Sequence, residues 1–328
     1  MERRKFISGT AASATFIGLG GLSMNSCGKS ANKHITILHT NDVHSHIDPF
    51  PNNHSNYPNL GGLARRATLV DQIRKENPNT LLFDAGDIFQ GTPYFNFYGG
   101  ELEFKLMSML KYDAVTIGNH DFDNGINGLY AQMPNASFDF LSANYDFSNT
   151  LLDSHVQPYK TYLVDGIKIG VFGLGIELDG LVTKKLYQET VYLDPIEIAL
   201  DMGRTLKDGE KCDLIICLSH LGYQYQNPQK PDDLKLAAST ENIDLIIGGH
   251  THTFLDRPTI VNNRSNEQLL VNQVGCFGIN LGRIDFYFDD GKQNIYYDYN
   301  QMTKLKVLID QTVKFIKHLE TDKKFENE

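Results

Sequence analysis

Positive charge is scarce in this chain. Over 328 residues, 30 Lys and Arg face 40 Asp and Glu, a formal net charge of −10. Arg3, Arg4 and Lys5 sit at the N-terminus, so the remainder is more acidic still. Such a body has no excess of cations to displace phosphate counterions, which argues against binding of duplex nucleic acid. An anionic substrate would have to find its positive charge in bound metal. Cysteine is scarce too. Cys212 and Cys217 flank one apparent strand and lie about 17 Å apart if it is extended, too far for a disulfide. Cys276 has no evident partner, so no disulfide framework is expected. No internal repeat of fixed period is present, and the weakly apolar stretch ending near Leu22 is too short and too rich in small residues to span a membrane.

That N-terminal stretch has a pattern of its own. Glu2-Arg3-Arg4-Lys5-Phe6-Ile7 is followed by Ala, Gly, Ser and Thr and then by Met24-Asn25-Ser26-Cys27. It resembles a bacterial twin-arginine export signal ending in a lipoprotein cleavage site. Residues 1–27 are therefore expected to be an address, with a periplasmic destination or a lipid anchor at Cys27. Residues 28–32 are expected to be a short linker and 33–300 the folded domain.

With 41% hydrophobic residues the chain can bury a large core. Runs rich in Ile, Leu and Val with little alternation predict strands covered on both faces at His34–His39, Thr80–Asp84, Ala114–Ile117, Phe138–Ser142, Cys212–Ser219 and Ile243–Gly248. Helical patterns at Gly62–Lys75, Glu101–Lys111, Pro195–Leu206 and Asp232–Ser239 alternate with them, implying an α/β fold of βαβ units. Asp165-Gly166 predicts a type I′ hairpin, and Asp289-Asp290-Gly291 a second turn, so the later part is partly antiparallel. Leu305, Leu308, Ile309, Val313, Ile316 and Leu319 recur at helical spacing, so residues 301–328 are expected to form an amphipathic helix and a charged tail.

Five polar clusters each close one of these apolar runs: Asp42-Val43-His44, Gly86-Asp87, Gly118-Asn119-His120-Asp121, Ser219-His220 and Gly249-His250-Thr251-His252. Loops that deliver Asp, Asn and His to one rim make a metal site, and this number of donors suits two ions. Carboxylate and amide oxygens mixed with imidazole nitrogens favour Zn²⁺, Mn²⁺ or Fe²⁺ over Ca²⁺. Asp87 is the candidate to bridge two ions, with Gly86 allowing close approach. Asn119 can offer its amide oxygen to a metal and its NH₂ to a phosphate oxygen. His120 would face a leaving group, and Asp123, one turn on, would orient its ring and raise its pKa. His46 is a candidate to line the pocket. The aromatic stretch Phe89–Tyr98 is either packing over the sheet or an apolar landing surface.

These motifs, together with Gly61-Gly62-Leu63-Ala64-Arg65 and Gly86-Asp87-Ile88-Phe89-Gln90-Gly91, resemble the calcineurin-like metallophosphoesterases. More closely, they resemble the N-terminal catalytic domain of the 5′-nucleotidases, over about His34 to Tyr299. The resemblance implies a four-layer α/β/β/α sandwich with two mixed sheets and a dinuclear site at the C-terminal ends of strands. It implies two divalent ions, Zn or Mn. Asp42, His44, Asp87 and His252 would hold one, and Asp87, Asn119, His220 and His250 the other, with His120 and Asp123 as the catalytic pair. Asp121, where relatives often carry Glu, is not a ligand and is expected to matter little. The implied activity is phosphomonoester hydrolysis by a metal-activated hydroxide, with a nucleotide or another phosphate ester as substrate. Relatives carry a second domain that reads the nucleoside, so a separate polypeptide is the expected partner here. The alternatives are a 2′,3′-cyclic phosphodiesterase, a small-ester phosphatase acting alone, or a non-catalytic scaffold on the same fold.

Overall fold

Strand β1 (Lys33–Thr40) sets the layering, because successive side chains leave a strand on opposite faces. Ile35 and Ile37 enter one apolar core and Leu38 enters another. A strand buried on both faces needs cover on both sides. In the computed structural model, which describes residues 33–288, 295–298 and 303–304, that cover is a second sheet on one side and helices on the other. The export signal at 1–27, the linker at 28–32, the turn at Asp289–Gly291 and the helix expected from Leu305 lie outside the described residues.

From β1 the chain crosses through α1 (Leu63–Glu76) to β2 (Thr80–Asp84), then through α2 (Pro93–Tyr98) and α3 (Glu101–Met109) to β3 (Ala114–Thr116). It passes through α4 (Gly125–Gln132) to β4 (Asp139–Leu141). These four strands pair in parallel. A short pair, β5 (Tyr145–Asp146) with β8 (Val191–Tyr192), stands apart and brackets the hairpin β6 (Tyr159–Val164) and β7 (Ile167–Leu174). Asp165 and Gly166 both have positive φ, 51° and 75°, as a type I′ turn requires.

After α5 (Lys184–Tyr187) and α6 (Pro195–Arg204) come β9 (Leu214–Ser219), α7 (Asp233–Ser239), β10 (Leu245–Gly248), β11 (Thr259–Asn262) and β12 (Gln268–Asn272). They complete a second sheet in the order β11-β12-β10-β9-β7-β6. Its four central strands are parallel and its two edges antiparallel. Finally β13 (Asn280–Phe288) returns antiparallel to β1, and β14 (Ile295–Asp298) and β15 (Thr303–Lys304) pair with it.

Three cores follow. Ile37, Phe83, Ile169, Ile216, Leu245 and Ile284 fill the space between the sheets. Val70, Ile73, Phe104, Met107 and Ile126 pack helices α1, α3 and α4 on the first sheet. Ala199, Leu236 and Ala237 pack α6 and α7 on the second, against Phe172, Ile215 and Ile246. The result is the expected α/β/β/α sandwich of two mixed sheets. Two helices start on side-chain acceptors. Asp194 caps α6 through the N–H groups of Ile196 and Glu197 at 2.8 and 3.0 Å, and Asp232 caps α7 through Lys235 at 2.8 Å. Each sheet thus presents the C-terminal ends of four parallel strands, where ligands gather in open α/β sheets.

Candidate metal centre

All seven expected donors follow the C-terminal ends of β1, β2, β3, β9 and β10, and they meet at one rim. Asp42, His44 and His252 form one group of convergent ligand atoms, and Asp87, His220 and His250 form a second. In the first, His44 Nε2 lies 3.0 Å from His252 Nε2 and 4.0 Å from Asp42 Oδ1, and His252 Nε2 lies 3.4 Å from Asp42 Oδ1. In the second, Asp87 Oδ2 lies 3.1 Å from His220 Nε2, and His250 Nδ1 lies 2.8 Å from Asn119 Oδ1. Asp87 Oδ2 is also 3.8 Å from His44 Nε2, which places this carboxylate between the two groups. Nitrogen and oxygen atoms sharing one small divalent ion stand about 3 to 3.5 Å apart, given bonds of about 2.0–2.2 Å. The donor set fits such ions on both spacing and chemistry.

The backbone is bent to achieve this. Asp42, His44, Asp87, His250 and His252 all have left-handed φ, between 46° and 70°. Non-glycine residues seldom adopt that region, and it is held only where the surroundings over-determine it. Glycine is needed here for the packing of the loops themselves. A Cβ on Gly118 would stand 2.2 Å from Asp87 Oδ1, and one on Gly86 would meet Gly118 N at 2.7 Å and His220 Nδ1 at 2.9 Å. These glycines let the ligand loops press on one another.

The imidazoles are oriented from behind. His44 Nδ1 faces the carbonyl of Phe89 at 3.1 Å and His220 Nδ1 faces that of Ala85 at 2.7 Å. A carbonyl can only accept, so Nδ1 carries the proton and Nε2 is left for a ligand bond. His220 Nε2 is buried and stands 3.1 Å from Asp87 Oδ2. Burial lowers the pKa of His44, and burial followed by the His220 charge lowers His250 to about 4, so both rings are ready as neutral ligands. Burial opposes charge on Asp87 and His220 as well. Their mutual attraction prevails, holding Asp87 far below the carboxylate range and lifting His220 to about 10.

His120 and Asp123 do not join the donor groups. Asn119 leads into a 3₁₀ turn at His120–Phe122, and that turn sets His120 Nδ1 3.0 Å from Asp123 Oδ2. The hydrogen bond to Asp123 raises the His120 pKa, and partial burial opposes it. The ring edge faces His44 at 5.3 Å between centroids, and the side chain is 38% exposed.

Behind the donors stands a layer that sequence reasoning missed. Asp121 is not idle: its buried carboxylate accepts from the N–H groups of Asp87, Ile88, Phe89 and Gly118 at 2.8–3.1 Å. Asn41 ties the Asp42 loop to Val274 and Gly275 at 3.0 and 2.6 Å. Gln273 accepts from Thr253 N and donates to the Gly249 carbonyl, fixing the loop of His250 and His252. A sixth strand-end loop, Gln273–Gly278 after β12, therefore supports the rim. Its signal was an apolar run, Leu269–Val271, that ends in polar residues and glycines like the other five.

Histidines outside the donor set separate as follows. The His46 ring packs on Phe277 at 4.3 Å between centroids, at the edge of the site. His39 is fully buried between the sheets, and burial lowers its pKa to about 3. The stretch Phe89–Tyr98 divides. Phe89 and Phe95 are core, while Phe97 and Tyr98 are 83% and 52% exposed. Cys212, Cys217 and Cys276 are free thiols in buried positions.

Comparison with known proteins agrees with this geometry. Residues 35–254 match the calcineurin-like phosphoesterase family. The chain is 35% identical over 288 residues to a trifunctional nucleotide phosphoesterase of Bacillus subtilis, a match covering 78% of this chain and 18% of that protein. It is 33% identical over 305 residues to the 5′-nucleotidase of Rattus norvegicus, covering 85% of this chain and 50% of the relative. A 5′-nucleotidase precursor from Thermus thermophilus superposes with a TM-score of 0.76 at 32% identity, covering 86% of this chain and 57% of that one. The chain thus spans about half the length, or less, of these relatives. On the family match and these identities, the chain belongs to the calcineurin-like phosphoesterases.

Proposed function

We propose that this chain is a metal-dependent phosphoric ester hydrolase of the 5′-nucleotidase type, acting on phosphomonoesters. The observation that carries the reading is the convergence of six His and Asp side chains into two donor groups, with Asp87 between them. In this reading Asp42, His44, Asp87 and His252 hold one divalent ion, and Asp87, Asn119, His220 and His250 hold the other. Bound ions would supply positive charge for the phosphoryl oxygens and lower the pKa of water toward 7.

The remaining work falls to the chain's own groups. Asn119 has its amide oxygen beside His250, so its NH₂ is the group available to a phosphate oxygen. Asp123 accepts from His120 Nδ1, so the proton relevant to the leaving group sits on Nε2. The raised pKa of His120 favours the form that carries that proton at neutral pH. The protein would act after export, as the twin-arginine pattern and Cys27 suggest. Support for a nucleotide substrate comes from the names of the relatives matched.

The test is AMP hydrolysis by the purified protein, supplied with Mn²⁺ or Zn²⁺, with and without any co-purifying chain. Hydrolysis that EDTA abolishes and metal restores supports the proposal. A metal-saturated protein that releases no phosphate from AMP or an aryl phosphate, with or without the co-purifying chain, sinks it.

A further inference from the structure

Beside the first donor group stands a wall of rings that none of the proposed chemistry uses. Phe277 is its centre. Its ring lies 5.7 Å from His252 and 5.9 Å from His44 between centroids, edge-on to the first and tilted to the second. It also neighbours His46 at 4.3 Å, Phe50 at 5.9 Å and Tyr57 at 6.2 Å. Tyr57 continues the series, stacked on His54 at 5.6 Å and on Phe254 at 6.1 Å. Phe50, Tyr57 and Phe277 are only half-buried, and Phe254 is 42% exposed.

Ordinary loop packing explains part of this cluster but not the backbone that carries it. Phe277 has φ of 60°, and for a bulky residue the left-handed region is a true outlier. Its N–H donates to the carbonyl of Asp42, itself a proposed ligand, at 2.7 Å. The flanking glycines admit close neighbours: a Cβ on Gly275 would meet the Phe254 ring at 2.2 Å, and one on Gly278 would meet Arg66 Nη2 at 1.9 Å. Strain held beside a site, with an aromatic face left partly open, is how a protein positions a contact for a ligand.

We propose that Phe277 and Tyr57, backed by Phe254, form a specificity wall that stacks a flat aromatic ring in the leaving group of the phosphate ester. The proposal deepens the phosphoesterase reading and rests on it for the placement of the phosphoryl group at the donor atoms. The chemistry selects planar rings, because offset or edge-to-face contacts between aromatic groups add to the apolar area they bury. A saturated ring of similar size gains only the area term. The wall therefore discriminates by flatness rather than by hydrophobicity. Phe277 and Tyr57 are specificity residues and take no part in moving protons.

The test compares benzyl with cyclohexylmethyl, two leaving groups alike in size and in the basicity of the alcohol. The Mn²⁺-loaded protein is titrated calorimetrically with benzylphosphonate and cyclohexylmethylphosphonate, and kcat/KM is measured for the two phosphate esters. The expected result is a preference of about 2- to 10-fold for the flat ring in both measurements. In Phe277→Leu and in Tyr57→Leu the ratio should collapse to near one, with metal content unchanged. The ring contacts of Tyr57 are with Phe50, His54, Phe254 and Phe277, none of them a proposed ligand, so Tyr57→Leu keeps the test decisive even if Phe277→Leu misfolds. A ratio of one in the parent protein, or a ratio that survives both substitutions, overturns the wall while leaving the hydrolase standing. Discrimination between the phosphonates without turnover of either ester overturns the hydrolase and supports the wall.

Discussion

Replacing Asp121 by Asn tests whether the centre depends on the layer behind its ligands. The change keeps shape and replaces one acceptor oxygen by an NH₂ donor. In the parent, one carboxylate oxygen accepts from Ile88 N and Phe89 N at 2.9 and 3.1 Å, and the other from Gly118 N and Asp87 N at 2.8 and 3.1 Å. An amide has a single acceptor oxygen, so one pair survives and its NH₂ is turned on the other two N–H groups. Two buried donors lose their partner at about 1–3 kcal/mol each, so the expected loss is about 2–6 kcal/mol. Against a typical total of about 5–15 kcal/mol, this is a large fraction.

Denaturant unfolding in the presence of a chelator measures the loss without any contribution from metal, as a fall in midpoint at unchanged slope. The two orphaned donors belong to the loop of Asp87 or the turn before Asn119 whichever way the amide sits, so metal affinity should fall as well. An Asp121→Asn protein that unfolds within about 0.5 kcal/mol of the parent would refute the argument, because buried amides would then have found other partners.

Three further outcomes are expected. His120→Ala should lower kcat by about 10²- to 10⁴-fold with metal content unchanged, whereas Asp87→Ala should lose both ions; elemental analysis beside kinetics separates the two, and loss of metal in His120→Ala contradicts its placement outside the donor groups. Asp87 lifts the His220 pKa to about 10, so an entering cation at pH 7.5 must displace a proton, and calorimetry in two buffers of different ionisation enthalpy should read at least one proton released per protein, with up to about one more from water on the bound ions; a value of zero refutes it. Burial raises Asp84 to about 6 from its ordinary 3.8, so the folded chain keeps this proton to higher pH than the unfolded chain does. In chelated protein Asp84 should therefore contribute a loss of up to about 3 kcal/mol of stability between pH 4 and pH 6, beside that of Asp113, which burial raises to about 6 as well, and Asp84→Asn should make the slope shallower by that share; an unchanged slope argues against a protonated Asp84.

The strands that carry the donors were legible because their chemistry is extreme. A run such as Leu81-Leu82-Phe83 that does not alternate has to be covered on both faces, and one that ends in Gly-Asp or Gly-His-Thr-His turns polar within two residues. β11 and β12 escaped notice for the opposite reason. β11 is an edge strand with alternating exposure, and β12 opens on an exposed Gln268, so neither presents a long apolar run. Helix α2 is six residues of mostly aromatic sequence between Gly91 and Gly99, a composition that reads equally well as loop packing. Several boundaries shifted, among them the start of β10, at Leu245 rather than Ile243, and the end of α3, at Met109 rather than Lys111. α6 gives way at Arg204 to a π turn over Thr205–Gly209, and β9 begins at Leu214 rather than Cys212.

The candidate site divides along the same line, between residue types that are rare and those that are common. Histidines at strand ends have few structural uses, so His44, His220, His250 and His252 stand out in a chain with 11 in all. Asp121, Asn41 and Gln273 are types found in any loop, and their importance lies in which N–H or carbonyl groups they reach across the fold. Asn41 and Gln273 reach residues more than 20 positions away, and Asp121 reaches the Asp87 loop 32–34 positions back. No spacing rule reports a contact of that kind. Yet five of the seven expected ligands sit in a strained backbone region, and a strained loop relaxes unless something restrains it. Those buried polar residues are the restraint, so the donors can stay convergent before any cation arrives, and binding need not supply the full free energy of assembling them.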